Sequence, residues 1–219
     1  MKSNETLQRD VQDALKWESL LSAAEIGVTA KDGVVTLTGT VDSYAKKLEA
    51  EDAAKNVAGV KAVAQDITIE FTNSGKHNDS QVATEIVNAF KFNWQVPFER
   101  VHVLVEDGWV TLTGNLEWKY QKEAARAAVK NLPGVKGVSN NLLIESKMND
   151  AVEKKAIERA LERNWSIDAE DIRVAVLGND VTLKGTVESI YQKDEAERIA
   201  WNAPGVRAVH NELVIDYTM

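Results

Sequence analysis

Asp107-Gly108-Trp109-Val110-Thr111-Leu112-Thr113-Gly114 decides the fold, because the chain states it three times. It stands earlier as Asp32-Gly33-Val34-Val35-Thr36-Leu37-Thr38-Gly39 and later, more loosely, as Gly178-Asn179-Asp180-Val181-Thr182-Leu183-Lys184-Gly185. A second landmark follows each copy after 20 residues: Gly59-Val60, Gly134-Val135 and Gly205-Val206. The copies are offset by 75 and then 71 residues, too long for one turn of a solenoid and right for a small folded unit. Three domains are therefore expected, at 1–71, 79–146 and 149–217.

Working outward from the repeated stretch, each Asp-Gly or Gly-Asn pair accepts the positive φ of a tight hairpin turn. The strand leaving it buries Val35 and Leu37, Val110 and Leu112, or Val181 and Leu183 at period two. The strand entering it alternates in the same way, through Ile26 and Val28, Val101, Val103 and Val105, or Ile172, Val174 and Val176. Before the hairpin lies a helical pattern with apolar residues four apart: Leu7, Val11 and Leu15; Val82, Ile86 and Phe90; Ile157 and Leu161. Asp79 or Ser80, and Asp150, are the expected caps of the second and third of these helices. Gly39, Gly114 and Gly185 close the hairpins, and a second helix then starts near Asp42, Glu117 or Glu188. It stops before Gly59, Gly134 or Gly205, a glycine suited to a left-handed helix end. A last strand carries one amide on its apolar side: Gln65, Asn140 or Asn211. An amide there costs free energy unless bonded, so its expected task is to tie backbone groups. The predicted class is α+β: three tandem αββαβ domains, each a mixed three-stranded sheet with two helices on one face.

This order, the glycine 20 residues before Gly-Val and the closing valine-x-amide strand resemble the BON domain family. The match is strongest at Gly39, Gly114 and Gly185, at the three Gly-Val pairs, and at Asn140 and Asn211. It departs from the pattern at Gln65 and at Asn179, the latter where the other copies have the turn glycine. The resemblance implies a non-enzymatic bacterial module. Family members are usually periplasmic or envelope-attached and several are associated with phospholipid; one cytoplasmic relative binds potassium. The shared motifs are structural, so no catalytic, cofactor or metal residue carries over.

Composition narrows the function. Hydrophobic residues make up 44% and charged residues 27%, as in packed domains. Without cysteine there is no disulfide, thiolate metal site or thiol nucleophile. A net charge of −8 argues against nucleic acid as partner. No apolar run reaches the ~20 residues of a spanning helix. Met1 to Thr6 lead into an amphipathic pattern with no signal-peptide core, so the expected location is cytoplasmic, with the periplasm as alternative. His77, His102 and His210 fall in different elements, which argues against a catalytic cluster; no cofactor is expected.

What remains are surfaces. The middle copy carries +1 where its neighbours carry −4 and −5, and it holds seven of the fourteen aromatics. If Val110 and Leu112 face the helices, Trp109 faces away, on the side of His102 and Leu104. Such a face either packs on another copy within the chain, which the short connections favour, or meets a partner. Trp94 and Trp165 are expected to cover one end of their cores, and Trp17 and Trp201 to pack on helices. Trp118 is the expected exposed anchor, followed by the cations Lys119, Lys122 and Arg126. The leading expectation is a non-catalytic binding or scaffold protein linked to osmotic or envelope stress. Its rivals are a peripheral phospholipid-binding protein and a small-ligand or potassium binder, and homo-oligomerisation is open to each.

Overall fold

The computed structural model describes residues 2–21, 26–71, 77–145 and 152–216. The first repeat contains α1 (Asn4–Trp17), β1 (Ile26–Lys31), β2 (Val34–Val41), α2 (Tyr44–Lys55) and β3 (Ala62–Ile69). The second contains α3 (Asp79–Phe92), β4 (Val101–Glu106), β5 (Trp109–Leu116), α4 (Lys119–Lys130) and β6 (Gly137–Ile144), with a 3-10 turn at Phe98–Arg100. The third contains α5 (Lys154–Glu162), β7 (Ile172–Leu177), β8 (Asp180–Val187), α6 (Ile190–Trp201) and β9 (Ala208–Ile215). Three separate sheets result, ordered β1-β2-β3, β4-β5-β6 and β7-β8-β9. In the second and third the hairpin pairs antiparallel and the last strand returns parallel to the central one. This is the mixed α+β domain expected from the repeats.

Helix formation follows the apolar spacing. Leu7, Val11 and Leu15, then Val82, Ile86 and Phe90, are at most 2% exposed. Ser3 caps α1 by accepting the Thr6 N–H at 3.1 Å. For α3 the cap is Asn78, not Asp79 or Ser80: Asn78 and Gln81 each accept the other's backbone N–H, at 2.9 and 3.1 Å. Asp79 is thereby free to reach across the domain. Its two carboxylate oxygens accept the N–H groups of Asp107 and Gly108 at 2.8 and 2.9 Å, which holds the hairpin turn against the helix. Asn4 does the same for Asp32 in the first repeat, at 2.9 Å. The equivalent Asp150 lies outside the described residues.

Both turn residues have positive φ in the first two hairpins: Asp32 53° and Gly33 86°, Asp107 50° and Gly108 79°. The third departs chemically at Asn179. Where Gly108 presses its α-carbon toward the Gly134 carbonyl, Asn179 instead donates its side-chain N–H to the Gly205 carbonyl at 2.6 Å. Gly114 and Gly185 are fixed by space as well as by φ, 136° and 130°. A Cβ on either would collide with the backbone carbonyl of Arg100 or Asp171, where the chain enters the first strand.

Contacts gather the described residues into two compact units, one from 1–38, 50–66 and 147–219, the other from 39–49 and 67–146. The core of the second joins Val82, Ile86, Phe90, Val110, Leu112, Ala125, Val129 and Leu142, with Tyr44 of the first repeat buried among them. Leu48 and Ile69 pack beside Tyr44. In the first unit, the third repeat closes its own core from Ile157, Leu161, Val174, Val181, Leu183, Ala196, Ala200 and Leu213. At ~1.5–3 kcal/mol for each large apolar side chain fully buried, these clusters dominate the stability of each unit.

Candidate docking surfaces

The inner side of each sheet is occupied by a lock that fixes the second helix to the last strand. Asn140 donates its side-chain N–H to the Lys122 carbonyl at 3.0 Å and accepts the Leu142 N–H at 3.4 Å. Asn211 repeats this with the Lys193 carbonyl and Leu213 at 2.9 and 3.3 Å. The helix lysine completes the loop: Lys47, Lys122 and Lys193 each donate to a strand carbonyl, of Ile67, Leu142 and Leu213, at 2.8, 2.7 and 2.7 Å. The amides thus tie backbone, as their apolar setting demands. The lysines recur at the repeat offsets and could have been found by them.

That lock removes Lys122 from the cationic patch expected after Trp118. Its ammonium is spent on Leu142, and burial pushes its pKa below the ordinary value. Lys119 stands 3.7 Å from Glu123, while Arg126 is exposed. Trp118 is half-buried rather than an exposed anchor; Gln121 accepts the N–H groups of Trp118 and Glu117, both at 3.1 Å, at this helix start. Trp118 and its cations therefore do not form a free aromatic-basic surface.

The outer face of the second sheet carries His102, Leu104, Trp109 and Leu143, all exposed. Leu104 is 54% and Trp109 52% exposed, so the face is open to solvent. Trp109 also has local work. It lies opposite Gly137 in register, and its ring covers the space where a Cβ would be, while its indole N–H donates to the Ser139 hydroxyl at 2.9 Å. A tryptophan shielding a cross-strand glycine is a known sheet-stabilising pair.

The largest exposed side chains lie where the sequence placed buried ones. Trp94 is 86% and Trp165 96% exposed, although both were expected to cover core ends; Trp17, expected on a helix, is 87% exposed, and Phe92 91%. Trp201 alone of this group packs on a core. The cause is a turn. Asn93 and Asn164 accept the N–H of the second residue on, Gln95 and Ser166, at 3.0 Å in both repeats. Val96 and Ile167 then bond back to the asparagine carbonyls at 3.0 and 3.2 Å, and both are buried. An asparagine turn of this kind sends one residue outward and the fourth inward. The outward residue is Trp94 or Trp165, on a hydrogen-bonded turn that follows the exposed Lys91 or Arg163 by three or two residues. In the first repeat Trp17 ends α1 next to exposed Lys16.

Two other arrangements offer less. His77 lies 3.8 Å from Glu85, while His102 and His210 are exposed on separate strands. In the first unit a cavity of about 460 Å³ is lined by Lys2, Lys61, Asp168, Asp171, Glu188 and Asp216 among others. Its walls carry both charge signs, and among the described residues no three His, Asp or Glu side chains gather as a metal site. The cation reading gains nothing from it.

Comparison with known proteins gives a consistent picture. A family model described as BON domain matches residues 3–70, 78–146 and 149–217. Osmotically-inducible protein Y of Escherichia coli K12 is 32% identical over 136 residues, 60% of this chain and 68% of that protein. Outer membrane lipoprotein DolP of Haemophilus influenzae is 31% identical over 140 residues, 62% of this chain and 71% of that protein. Among solved structures, CdsD, a structural protein of the type III secretion system of Chlamydia trachomatis, aligns over 96% of this chain and 92% of its own. Its identity of 18% and TM-score of 0.27 carry no argument.

Proposed function

Because the chain belongs to the BON domain family, we propose that it is a non-catalytic envelope protein of the stress response that docks on phospholipid surfaces through its aromatic corners. The observation that carries this is the near-complete exposure of Trp17, Phe92, Trp94 and Trp165 at equivalent ends of the first helix in the three repeats. An aromatic of about 150–250 Å² is worth up to roughly 4–6 kcal/mol when fully covered, and leaving four uncovered calls for an occupant. Tryptophan is at home at the headgroup level of a bilayer, and a neighbouring cation adds attraction to anionic lipid. Lys91 and Arg163 supply that cation in the second and third repeats, while in the first Lys16 is paired with Asp13 at 2.9 Å. No helix among the described residues is long and apolar enough to cross a membrane, so contact through such corners is peripheral.

The similarity to an outer membrane lipoprotein and to an osmotically inducible protein supports the envelope and the stress link over a cytoplasmic location. A non-catalytic role is supported by the dispersed histidines and by recurring glycines whose positions are set by turns and close packing. Sedimentation with anionic and zwitterionic vesicles at low salt tests the proposal. Wild type should co-sediment with the anionic vesicles and show blue-shifted tryptophan emission, and Trp94→Ser with Trp165→Ser should weaken binding at least about tenfold. Absence of binding, or equal binding by the double variant, overturns it.

A further inference from the structure

We propose that β4 is the seam of a homodimer, in which β4 of a second copy pairs antiparallel with it about Leu104 and joins two sheets into one of six strands. β4 is an edge of the β4-β5-β6 sheet, so alternate residues aim their N–H and C=O groups outward, a template for a further strand. Edge strands are commonly blunted by lysine, proline or an interrupting charge. β1 carries Gly27 and ends on Lys31, and β7 carries Arg173, whereas β4 reads Val-His-Val-Leu-Val-Glu with no such residue before its end.

Burial singles out the same strand. The inward residues Val28 of β1 and Val174 of β7 are 4% and 3% exposed, but their equivalent Val103 is only half-buried. On the other face Leu104 is 54% exposed. β4 thus has uncovered apolar surface on both sides, which a helix over one face could not satisfy and an added strand would.

The side chains choose the register. Directly opposite residues in an antiparallel pair share a face. Centring the two-fold on Leu104 sets Leu104 against itself and Val103 against Val105. It also sets His102 against Glu106 of the second copy, twice, so that an imidazole N–H meets a carboxylate. Centring on Val103 would oppose His102 to Leu104, and centring on Val105 would oppose Leu104 to Glu106. Neither His102 nor Glu106 has a side-chain partner among the described residues. A seam of this kind is small, so the expected affinity is on the order of micromolar, as for other small interfaces.

The full chain contains no cysteine, which gives a direct test. Opposed α-carbons in an antiparallel pair lie about 4.5–5.5 Å apart, within disulfide reach. Leu104→Cys should therefore form a covalent dimer on mild oxidation, whereas Thr29→Cys and Ala175→Cys at the matching sites of β1 and β7 should not. Sedimentation equilibrium should show wild type moving from monomer to dimer with concentration. His102→Glu should weaken dimerisation about tenfold by opposing two carboxylates, Glu106→Lys should weaken it by removing the acceptor of the imidazole N–H, and the two together should restore it. Circular dichroism of each variant checks that these exposed changes leave the fold intact. A wild type that stays monomeric at several hundred micromolar overturns the proposal, as does cross-linking at position 29 or 175 instead of 104. A double charge reversal that fails to restore the dimer also overturns it.

Discussion

On their helix-facing sides the central and last strands of the second and third repeats bury the same residues. Val110, Leu112 and Leu142 recur as Val181, Leu183 and Leu213, none more than 2% exposed. On the opposite sides almost nothing recurs. Trp109 opposite Gly137 becomes Asp180 opposite Ala208, and Leu104 becomes Ala175. Thr113 opposite Asn141 becomes Lys184 opposite Glu212, an exposed ion pair at 3.2 Å worth no more than about 1 kcal/mol. The inner face is constrained because a close-packed interior answers to every methylene, while a solvated face tolerates exchange. What the two domains share is therefore fold, and what separates them is what each can touch.

The harshest way to break this equivalence is at the hairpin exits. Gly114→Val and Gly185→Val should each cost about 3 kcal/mol or more, because the added side chain meets a backbone carbonyl and the φ is left-handed. Urea unfolding, with hydrogen exchange to locate the loss, should place it in the altered repeat. Tolerance at one site only would show that the two frames differ after all.

A smaller effect is expected at the amides. Asn140→Ala and Asn211→Ala should each cost about 1–3 kcal/mol, since each strands a helix carbonyl and a strand N–H near the core. Asn211 also donates to Glu197 at 3.2 Å, so its loss should be the larger of the two. The denaturation midpoints of the two variants decide this, and a larger loss at Asn140 would contradict it.

The smallest effect separates the second helices. Glu123 of α4 stands 3.7 Å from Lys119, whereas its equivalent Asp194 of α6 feels Lys55, Glu197 and Asp52. Burial raises the Asp194 pKa above 3.8, with Lys55 opposing and Glu197 and Asp52 adding to the rise. The folded chain then holds this proton more tightly than the unfolded chain, so the group favours folding at low pH and loses that contribution as pH climbs from 3.8 through the raised value. Asp194→Asn should accordingly raise the melting temperature at pH 7 and leave it near wild type at pH 3. A drop at pH 7 would mean that the Asp194 carboxylate is stabilised by Lys55 more than burial disfavours it.

Within single elements the sequence was readable because its signals are periodic. Alternation placed Val110 and Leu112 inside and Trp109 outside, spacing by four placed Val82, Ile86 and Phe90, and the cost of an unbonded amide gave Asn140 and Asn211 their task. The signal failed at helix ends and turns, where no period runs. Asp79 looked like a cap and proved to be a tether for the hairpin, because Asn78 already supplied the cap. Lys122 looked like a surface cation because a long side chain gives no hint of where its end is held.

The chain by itself determined three αββαβ units, their strand faces and the glycines they turn on, since each follows from local backbone geometry and from which side of an element must leave water. Tertiary structure alone decided which aromatics stay in water. Tyr44 of the first repeat became part of the second unit's core, whereas Trp17, Trp94 and Trp165 were left outside theirs. The physical reason is that burial at an element's end depends on whether a neighbouring surface arrives to cover it. In the asparagine turns the inward place was taken by Val96 and Ile167, and the tryptophans were turned out.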